Sequence, residues 1–559
     1  MGGETLLFLI SYLSFILMTN KRRKETKSMN WIKKGEYSSV KEVFQRNTGY
    51  SDDDLERIEK ETYPITGFDK AKDILLKAIK KGEKVTVVAD YDVDGVMSAF
   101  IMDRTLKFLG ADYTIRIPKR FTEGYGLNES IIDEIPSGVL ITVDNGIAAF
   151  SSIEKAKEKG LKVIILDHHL PVGAIPNADV VIDPNALSCA KFNGYCGAGL
   201  AYKFSKELIS DENLLIIFRI CAAFATIADV VPLKEENRLI VRNGLKDASA
   251  YAYLLPKGFY TLISSFYLLD HISEKDVGFK IAPAINACGR LCDDGGAKIL
   301  RALLENNERV IDDVIATNER RKILTRDLTE KAEMEITAEG LNNSYPLLLY
   351  IPKAPLGIIG LVASAVSEKY KRPAFVVSDC GDILKGSGRT YGNKNIKQML
   401  DDSSEFLLGY GGHAAAAGIS LKKEDLGNLR EALSKAYGEI EEPDPNVYYD
   451  LEINEASFKN ILDELEKYMP YGEGNPEIVF RINNYKIHPN QGRDYILMGK
   501  DRSIIKFQGI NSDAIGFDCL PKYEMLGKPD RLNLIGTLSY NYFRGSRRAT
   551  IEIIDIECA

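Results

Sequence analysis

The chain is poor in histidine, has no surplus of positive charge, and shows no pairing rhythm among its cysteines. Five histidines stand among 559 residues, yet two of them, His168 and His169, are adjacent. Lysine and arginine total 72 against 80 aspartates and glutamates, a formal net charge of −8. No basic whole-protein field therefore marks a nucleic-acid binder, and any polyanion site must be a local cluster or work through bound cations. The eight cysteines (Cys189, Cys196, Cys221, Cys288, Cys292, Cys380, Cys519, Cys558) form no CxxC pair and no zinc-ligand spacing, which reads as reduced thiols of a cytosolic protein rather than a disulfide framework. Low-complexity tracts and short internal repeats are also absent, and a chain this long exceeds one core, so about two to four domains are expected.

A long hydrophobic run is missing as well. The apolar stretch "LLFLISYLSFILM", Leu6–Met18, holds 13 residues, short of the roughly 20 that span a bilayer. It is preceded by "MGGE" and followed by "KRRK", the reverse of a secretory signal. One reading is a weak anchor with its basic flank in the cytoplasm. The preferred one is a start assigned too early, the natural start being Met29, because nothing downstream needs a membrane. No stable membrane association is expected.

From Lys84 onward strand-like and helix-like segments alternate. "KVTVVAD", "YTIRIP", "GVLITVD", "LKVIILD" and "ADVVID" are aliphatic runs separated by helical stretches such as "VMSAFIMDRTLKFLG" and "AAFSSIEKAKEKG". This pattern predicts an α/β domain with a parallel sheet covered on both faces, whose ligands bind at the carboxyl ends of the strands. The polar clusters fall there: "ADYDVDG", then "DNG", then "DHH". Asp90, Asp92, Asp94, Asp144, Asp167, His168 and His169 thus emerge at one sheet edge, and Asp229, after the apolar helix "LLIIFRICAAFATIAD", can close the cluster. So many carboxylates would repel one another and take up protons unless cations sat among them. Carboxylates with few imidazoles and no thiolate suit Mn²⁺ or Mg²⁺ better than zinc. Two such ions about 4 Å apart are the apparatus for in-line attack on phosphorus. Singly, these motifs have plain explanations, a turn or a structural histidine pair; three at successive strand ends make a metal site.

"VVADYDVDGVMSA", "ITVDNGI", "LDHHLP" and "ATIADVVPL" resemble, in order, the four motifs of the DHH phosphoesterases. "IPKRFTEGYGL", "GAGLAYKF", "INACGRL", "GIIGLVAS", "KGSGRT" and "GGHAAAAG" narrow the resemblance to the RecJ family of single-strand-specific 5′→3′ exonucleases, from about Trp31 to the C-terminus. The resemblance implies a role for each matched residue. Asp92 and Asp144 would hold one Mn²⁺, with Asp90 a ligand or behind it. Asp94, Asp144, His168 and Asp229 would hold the other, Asp144 bridging. His169 would touch the scissile phosphate, and Asp167 would orient its neighbours. Arg120, Arg290, Ser387, Arg389, Gly412 and His413 would bind substrate. The implied activity is two-metal hydrolysis of single-stranded DNA to 5′-mononucleotides in repair and recombination, by a cytoplasmic monomer working beside a helicase and a single-strand-binding protein.

The rest of the chain agrees with that implication. Glu305 to Ile336 reads as a long, charged connecting helix, where a solvated face accounts for most of Arg320, Arg321 and Lys322. A smaller α/β unit follows and resembles the DHHA1 domain; its glycine-rich "KGSGRT" offers backbone N–H groups, a hydroxyl and Arg389 to a phosphate. Short strands with a basic, aromatic hairpin (Tyr540, Tyr542, Phe543, Arg544, Arg547, Arg548) suggest a C-terminal OB-fold barrel that binds single strands by stacking and charge. The expected divisions are 1–28, an upstream or apolar segment; 29–304, catalytic; 305–340, connecting helix; 341–444, DHHA1; and 445–559, OB-fold. One departure stands out. Where the family commonly has Trp-His before "GIIG", this chain has Ala354 and Pro355, which touches affinity rather than activity. Three alternatives are weighed. A hydrolase of short oligonucleotides or cyclic dinucleotides would not need the OB-like tail. A non-catalytic scaffold would not keep every ligand position filled. A manganese pyrophosphatase would need none of the C-terminal β structure.

Overall fold

The computed structural model describes residues 30–171, 173–305, 308–437, 444–489, 492–499, 502–543 and 546–559. The apolar stretch at 6–18 and Arg544 of the hairpin lie outside the described residues.

Five strands, β1 (Val85–Ala89), β2 (Tyr113–Arg116), β3 (Val139–Val143), β4 (Lys162–Leu166) and β5 (Val180–Ile182), form an all-parallel sheet. Their spatial order is β2-β1-β3-β4-β5, so the winding direction reverses between β1 and β3, which opens a crevice beyond the strand ends. Every residue of β1 and β3 is buried, which is why these strands read as unbroken aliphatic runs rather than as alternation. Helix α1 (Val93–Phe108), which follows β1, is buried on nearly all sides. It packs against α2 (Gly197–Lys206) and α3 (Glu212–Ala228). The register places the site: Ala89 pairs with Val143, and Val143 with Leu166. The next residues along, Asp90, Asp144 and Asp167, therefore leave the sheet side by side.

Helix α4 (Ala282–Leu291) and a further helix, Gly295–Leu304, end the catalytic domain, and the 31-residue α5 (Glu308–Ala338) leads away from it. The second sheet contains β6 (Leu347–Tyr350), β7 (Ala374–Cys380), β8 (Ile383–Arg389), β9 (Gly409–Gly412) and β10 (Ala416–Lys422), in the order β9-β10-β8-β7-β6. Helix α6 (Leu356–Tyr370) lies between this sheet and α5, and α5 also packs on α4.

The C-terminal unit is a seven-stranded sheet running from Leu451–Ile453 at one edge to Ile496–Met498 at the other, with two 13-residue strands, Arg531–Phe543 and Ser546–Cys558, paired at its middle. Its core includes Phe480, Ile482, Tyr485, Leu534 and Ile551, and also Val40, Val43 and Phe44 from the other end of the chain. Trp31–Lys33 pairs in parallel with Val447–Tyr449, and Trp31 Nε1 donates to Asp555 Oδ2 at 2.8 Å. The first described segment is thus packed on the last domain. Lys275 of the catalytic domain bridges Glu477 at 2.9 Å and Glu552 at 2.5 Å, and His271 stacks on Tyr542 with ring centres 3.9 Å apart. A cleft of about 1050 Å³, walled by Val230, His271, Leu538 and Tyr540, separates the two domains elsewhere. No cysteine is disulfide-bonded, and among the described residues no helix is long and apolar enough to cross a membrane.

Candidate active site

The DxDxDG segment turns from β1 into α1, and each polar residue has a local reason for its place. Asp92 caps α1, its Oδ1 accepting from Gly95 N at 3.1 Å. Gly95 cannot carry a side chain, because a Cβ there would lie 2.3 Å from the Asp90 carbonyl oxygen. Asp94, on the first turn of α1, accepts from Gly197 N at 2.6 Å and Ala198 N at 2.7 Å. The amino end of α2 therefore grips one carboxylate with two backbone donors, where the helix dipole favours negative charge.

Asp144 follows β3 with φ of 60°, and Val230, next to Asp229 after α3, has φ of 55°. Both are left-handed conformations that side-chain-bearing residues rarely adopt; for a β-branched valine the departure is pronounced. Such strain persists only where surrounding structure holds it, and it gathers at functional sites. Beside it the Asp144 and Asp229 carboxylates both approach His168 Nε2. His168 Nε2 lies 3.1 Å from Asp144 Oδ1, 3.4 Å from Asp94 Oδ2 and 3.7 Å from Asp229 Oδ2. Three groups bring their donor atoms within 4.8 Å of one another: Asp90, Asp92 and Asp144; Asp94, His168 and Asp229; and Asp144, His168 and His169.

The electrostatics are those of carboxylates crowded together out of water. Burial, then the charge of Asp92, pushes the Asp90 carboxyl far above the usual carboxylate range. Burial, then Asp94, raises Asp92. Asp144 is driven well up by burial and by the charges of Asp94, Asp92, Asp90 and Asp229, and Asp229 is pushed up to about 8, again by burial first and Asp94 second. Asp90 Oδ1 is buried with no hydrogen-bond partner. Among the described residues no lysine or arginine is ion-paired with Asp94, Asp144 or Asp229; the imidazole of His168 is the basic side chain within 4 Å of all three. Burying charge this way is costly unless it is paired. All-oxygen donors with one imidazole, and no cysteine ligand, fit hard divalent cations such as Mn²⁺ or Mg²⁺.

The two histidines differ sharply. Burial lowers His168, so its ring stays neutral and keeps a lone pair. Burial acts most strongly on His169 and would lower it too, but the hydrogen bond to Asp167 together with the charges of Asp167, Asp229 and Asp94 outweighs that and raises it to about 9. The contact is Nδ1 to Asp167 Oδ1 at 2.8 Å. Asp167 accepts as well from His168 N, His169 N and Ile147 N, and so braces the whole turn. Two contributors escaped notice in the sequence. The Tyr125 hydroxyl sits 3.2 Å from His169 Nε2 and 3.3 Å from the Asp144 carbonyl. Asn145 ties the end of β3 to β1 by donating to Val88 O at 3.1 Å. The sequence signal for both was their place inside "EGYG" and "DNG".

Opposite the carboxylates stand guanidinium groups from separate elements. Arg120 lies over the Tyr91 ring, 4.7 Å from its centre. Arg290, at the end of α4, donates to Gly357 O at 3.4 Å. Arg389 Nη1 donates to Ser387 Oγ at 2.8 Å. The "GIIG" turn of α6 makes this possible: a Cβ on Gly357 would strike the Arg290 carbonyl at 2.0 Å, and one on Gly360 would come within 3.0 Å of Arg389 Nη2 and Ser387 Oγ. Arg321, expected on a solvated face, instead has a buried Nε without a partner. Gly412 and His413 lie on the exposed edge of the second sheet, and His413 N and Nδ1 bond within their own turn. Ala354 is buried in the core beneath α6 and Pro355 begins that helix, so this position supplies no imidazole. In the C-terminal hairpin Arg547 lies over Tyr540 at 4.3 Å, whereas Arg548 is bound internally to Asp513, Gly509 O and Ser512 O.

Comparison with known proteins places these features. Residues 84–228 match the DHH family, N-terminal domain; residues 346–439 match the DHHA1 domain; residues 449–555 match the RecJ OB domain. The sequence is 30% identical over 513 residues, 88% of this chain, to the single-stranded-DNA-specific exonuclease RecJ of Bacillus subtilis, and spans 64% of that protein's length. It is 30% identical over 508 residues to the protein of the same description from Thermus thermophilus, covering 88% of this chain and 71% of that protein. The crystal structure of RecJ in complex with Mn²⁺ from Thermus thermophilus superposes with a TM-score of 0.71 at 26% identity, covering 89% of this chain and 72% of that one. The Mg²⁺ complex gives 0.65 at 26% identity, covering 89% and 71%.

Proposed function

Because the chain belongs to the RecJ family, we propose that it is a metal-dependent exonuclease that removes 5′-mononucleotides from single-stranded DNA. One observation carries this reading: a buried carboxylate–imidazole cluster, with no lysine or arginine ion-paired to Asp94, Asp144 or Asp229 among the described residues, lies within electrostatic reach of Arg120 and Arg290. The carboxylates fit divalent cations, the arginines fit phosphates, and a phosphodiester strand joins the two requirements.

Asp90, Asp92 and Asp144 would hold one Mn²⁺ or Mg²⁺, and Asp94, Asp144, His168 and Asp229 the second. When bound, such ions supply a water of lowered pKa as nucleophile and neutralise charge developing on phosphorus. The protein's own groups do the rest. His168 binds through its neutral ring. Asp167 holds His169 by Nδ1, which leaves Nε2–H free to donate to a non-bridging oxygen of the scissile phosphate in place of the Tyr125 hydroxyl. Arg389 and Arg120 grip the terminal phosphate, with the Ser387 hydroxyl beside them, through forked donors suited to its extra charge. Cleavage of the bond from phosphorus to the 3′-oxygen releases a nucleotide with a 3′-hydroxyl. The shortened strand keeps a 5′-phosphate, the group those arginines suit, so the product presents the same end again. The cytoplasm is the compartment this reading implies. A helicase that opens duplex DNA, with a single-strand-binding protein, is the partner class that would supply the substrate.

The test is incubation of the purified chain with Mn²⁺ and single strands labelled at either end. The 5′ label should appear first as mononucleotide while the 3′ label stays on long fragments. Early release of the 3′ label, or no release from single strands, would overturn the reading.

A further inference from the structure

The connecting helix bears one arginine whose surroundings do not suit a spacer. Arg321 Nη2 donates to Asn318 Oδ1 at 2.8 Å, one turn earlier on α5, and Asn318 is itself buried, 2% exposed. Its Nε is buried with no partner, and among the described residues no carboxylate is ion-paired with it. Its neighbours behave otherwise: Lys322 pairs with Glu319 at 2.7 Å and Arg326 with Asp327 at 3.0 Å. Drawing part of a guanidinium out of water and fixing its plane with an asparagine is costly unless an anion arrives to use it.

Its location says which anion. Helix α5 packs on α4 and α6, the helices that carry Arg290 and the "GIIG" turn. Burial, and then the positive charges of Arg120, Arg321 and Arg389, press the Arg290 guanidinium down to about 10, while Asp92 opposes them. Four guanidinium groups from four elements thus lie close enough for three of them to act on Arg290, which also feels Asp92 of the carboxylate cluster. A single terminal phosphate does not employ four forked donors. Arg120 and Arg389, with Ser387, suffice for the strand end, so Arg290 and Arg321 remain for a further phosphate of the same strand.

We infer that Arg321, together with Arg290, forms a second phosphate subsite that takes the internucleotide phosphate immediately 3′ of the scissile one. This rests on the nuclease reading above. The ligand is a phosphodiester of the strand backbone, read without regard to base. The subsite sets the register: the terminal phosphate and the second linkage are held at fixed points, and the first linkage is left at the carboxylate cluster. It also makes the second linkage part of the minimal good substrate, so a dinucleotide, which lacks that phosphate, forgoes the contact.

The experiment uses the full chain with Mn²⁺ and 5′-phosphorylated single strands in which one internucleotide linkage at a time is an uncharged methylphosphonate. For the wild type, neutralising the second linkage should raise KM about tenfold or more, the size expected of a charge-assisted contact. Arg321→Ala should raise KM to a similar extent on the normal strand, leave kcat within about twofold, and lose no more when the second linkage is neutralised. Its dependence of binding on salt should also weaken by about 0.7 in logarithmic slope, the mark of one fewer phosphate contact on a single strand. A purely structural arginine would lower thermal stability without moving either the slope or the linkage dependence. Arg321→Lys should restore the slope. The linkage scan on wild type keeps the inference testable if Arg321→Ala does not fold. Indifference of the wild type to the second linkage, or an unchanged salt slope in folded Arg321→Ala, overturns the subsite. A wild-type chain that fails to cleave the unmodified strand contradicts the nuclease reading instead.

Discussion

Gly197 lies against Asp144 so closely that a β-carbon on the glycine would stand 2.5 Å from Asp144 Cβ. The same residue's N–H holds Asp94 Oδ2 at 2.6 Å. One glycine at the start of α2 therefore sets the spacing of two carboxylates assigned to the metal site. Gly197→Ala should force them apart. We expect Mn²⁺ affinity to fall about 10- to 100-fold, the usual effect of disturbing groups that orient ligands, with a parallel loss of hydrolysis. Isothermal titration with Mn²⁺ checks it; unchanged affinity would mean that the α2 end does not position the ligands.

Arg389 provides the next prediction. Its Nη1 donates to Ser387 Oγ, and the missing side chain of Gly360 leaves room for both. Arg389→Ala should reduce the preference for 5′-phosphorylated over 5′-hydroxyl strands by about 10- to 100-fold, with metal content unchanged. Cleavage rates on the two substrates, measured for both proteins, decide it. An unchanged ratio would place the end sensor elsewhere.

The hairpin arginines should separate. Arg547, stacked on Tyr540 and about half exposed, is placed to meet a strand. Arg548 is engaged by Asp513 and two carbonyls. Arg547→Ala should weaken binding of long single strands several-fold and leave stability unchanged, because contacts along an OB surface accumulate with strand length. Arg548→Ala should cost roughly 1–3 kcal/mol of stability instead, since it strands buried acceptors. Fluorescence anisotropy and thermal melts of both variants test the contrast; exchange of the two phenotypes would refute it.

The junction between the catalytic and C-terminal domains should respond to pH. Glu274 accepts from Tyr471 N at 2.9 Å. Burial first, with help from Glu477, pushes its carboxyl up to about 7 from an ordinary 4.5. The folded protein therefore holds this proton more tightly than the unfolded chain does. The resulting stability is fully present below about pH 4.5 and is lost as pH rises to about 7. Glu274→Gln should match wild type at acid pH and exceed it at pH 8, by at most about 3 kcal/mol. Thermal midpoints of both proteins across that range check it; a gap that does not widen with pH would count against it.

Much of the site could be read from the sequence because its residues follow strands directly. Where a parallel sheet is in register, successive strand ends are neighbours, so Asp90, Asp144 and Asp167 were brought together by topology alone. Asp94 and Asp229 were legible from motif spacing. Tyr125 and Asn145 were not, since their partners are set by how a loop folds back rather than by periodicity. The buried Nε of Arg321 was not legible, because helical charge patterns do not tell which face a later domain will cover. The packing of Val40, Val43 and Phe44 on the C-terminal core was equally hidden, because contacts between residues far apart in the chain leave no local signal.

The central claim is that a shared carboxylate organises two cations for phosphodiester hydrolysis, and Asp144 is the residue on which it turns. It alone belongs to two of the ligand groups as a carboxylate, one with Asp90 and Asp92 and one with His168 and His169. The decisive measurement is the rate of mononucleotide release from 5′-phosphorylated single strands by purified Asp144→Ala, with bound Mn²⁺ counted in the same sample. The account predicts a loss of at least about 1000-fold, comparable to removing a principal catalytic group, with fewer than two ions retained by a protein that still melts cooperatively. A folded Asp144→Ala protein that cleaves near the wild-type rate would contradict it.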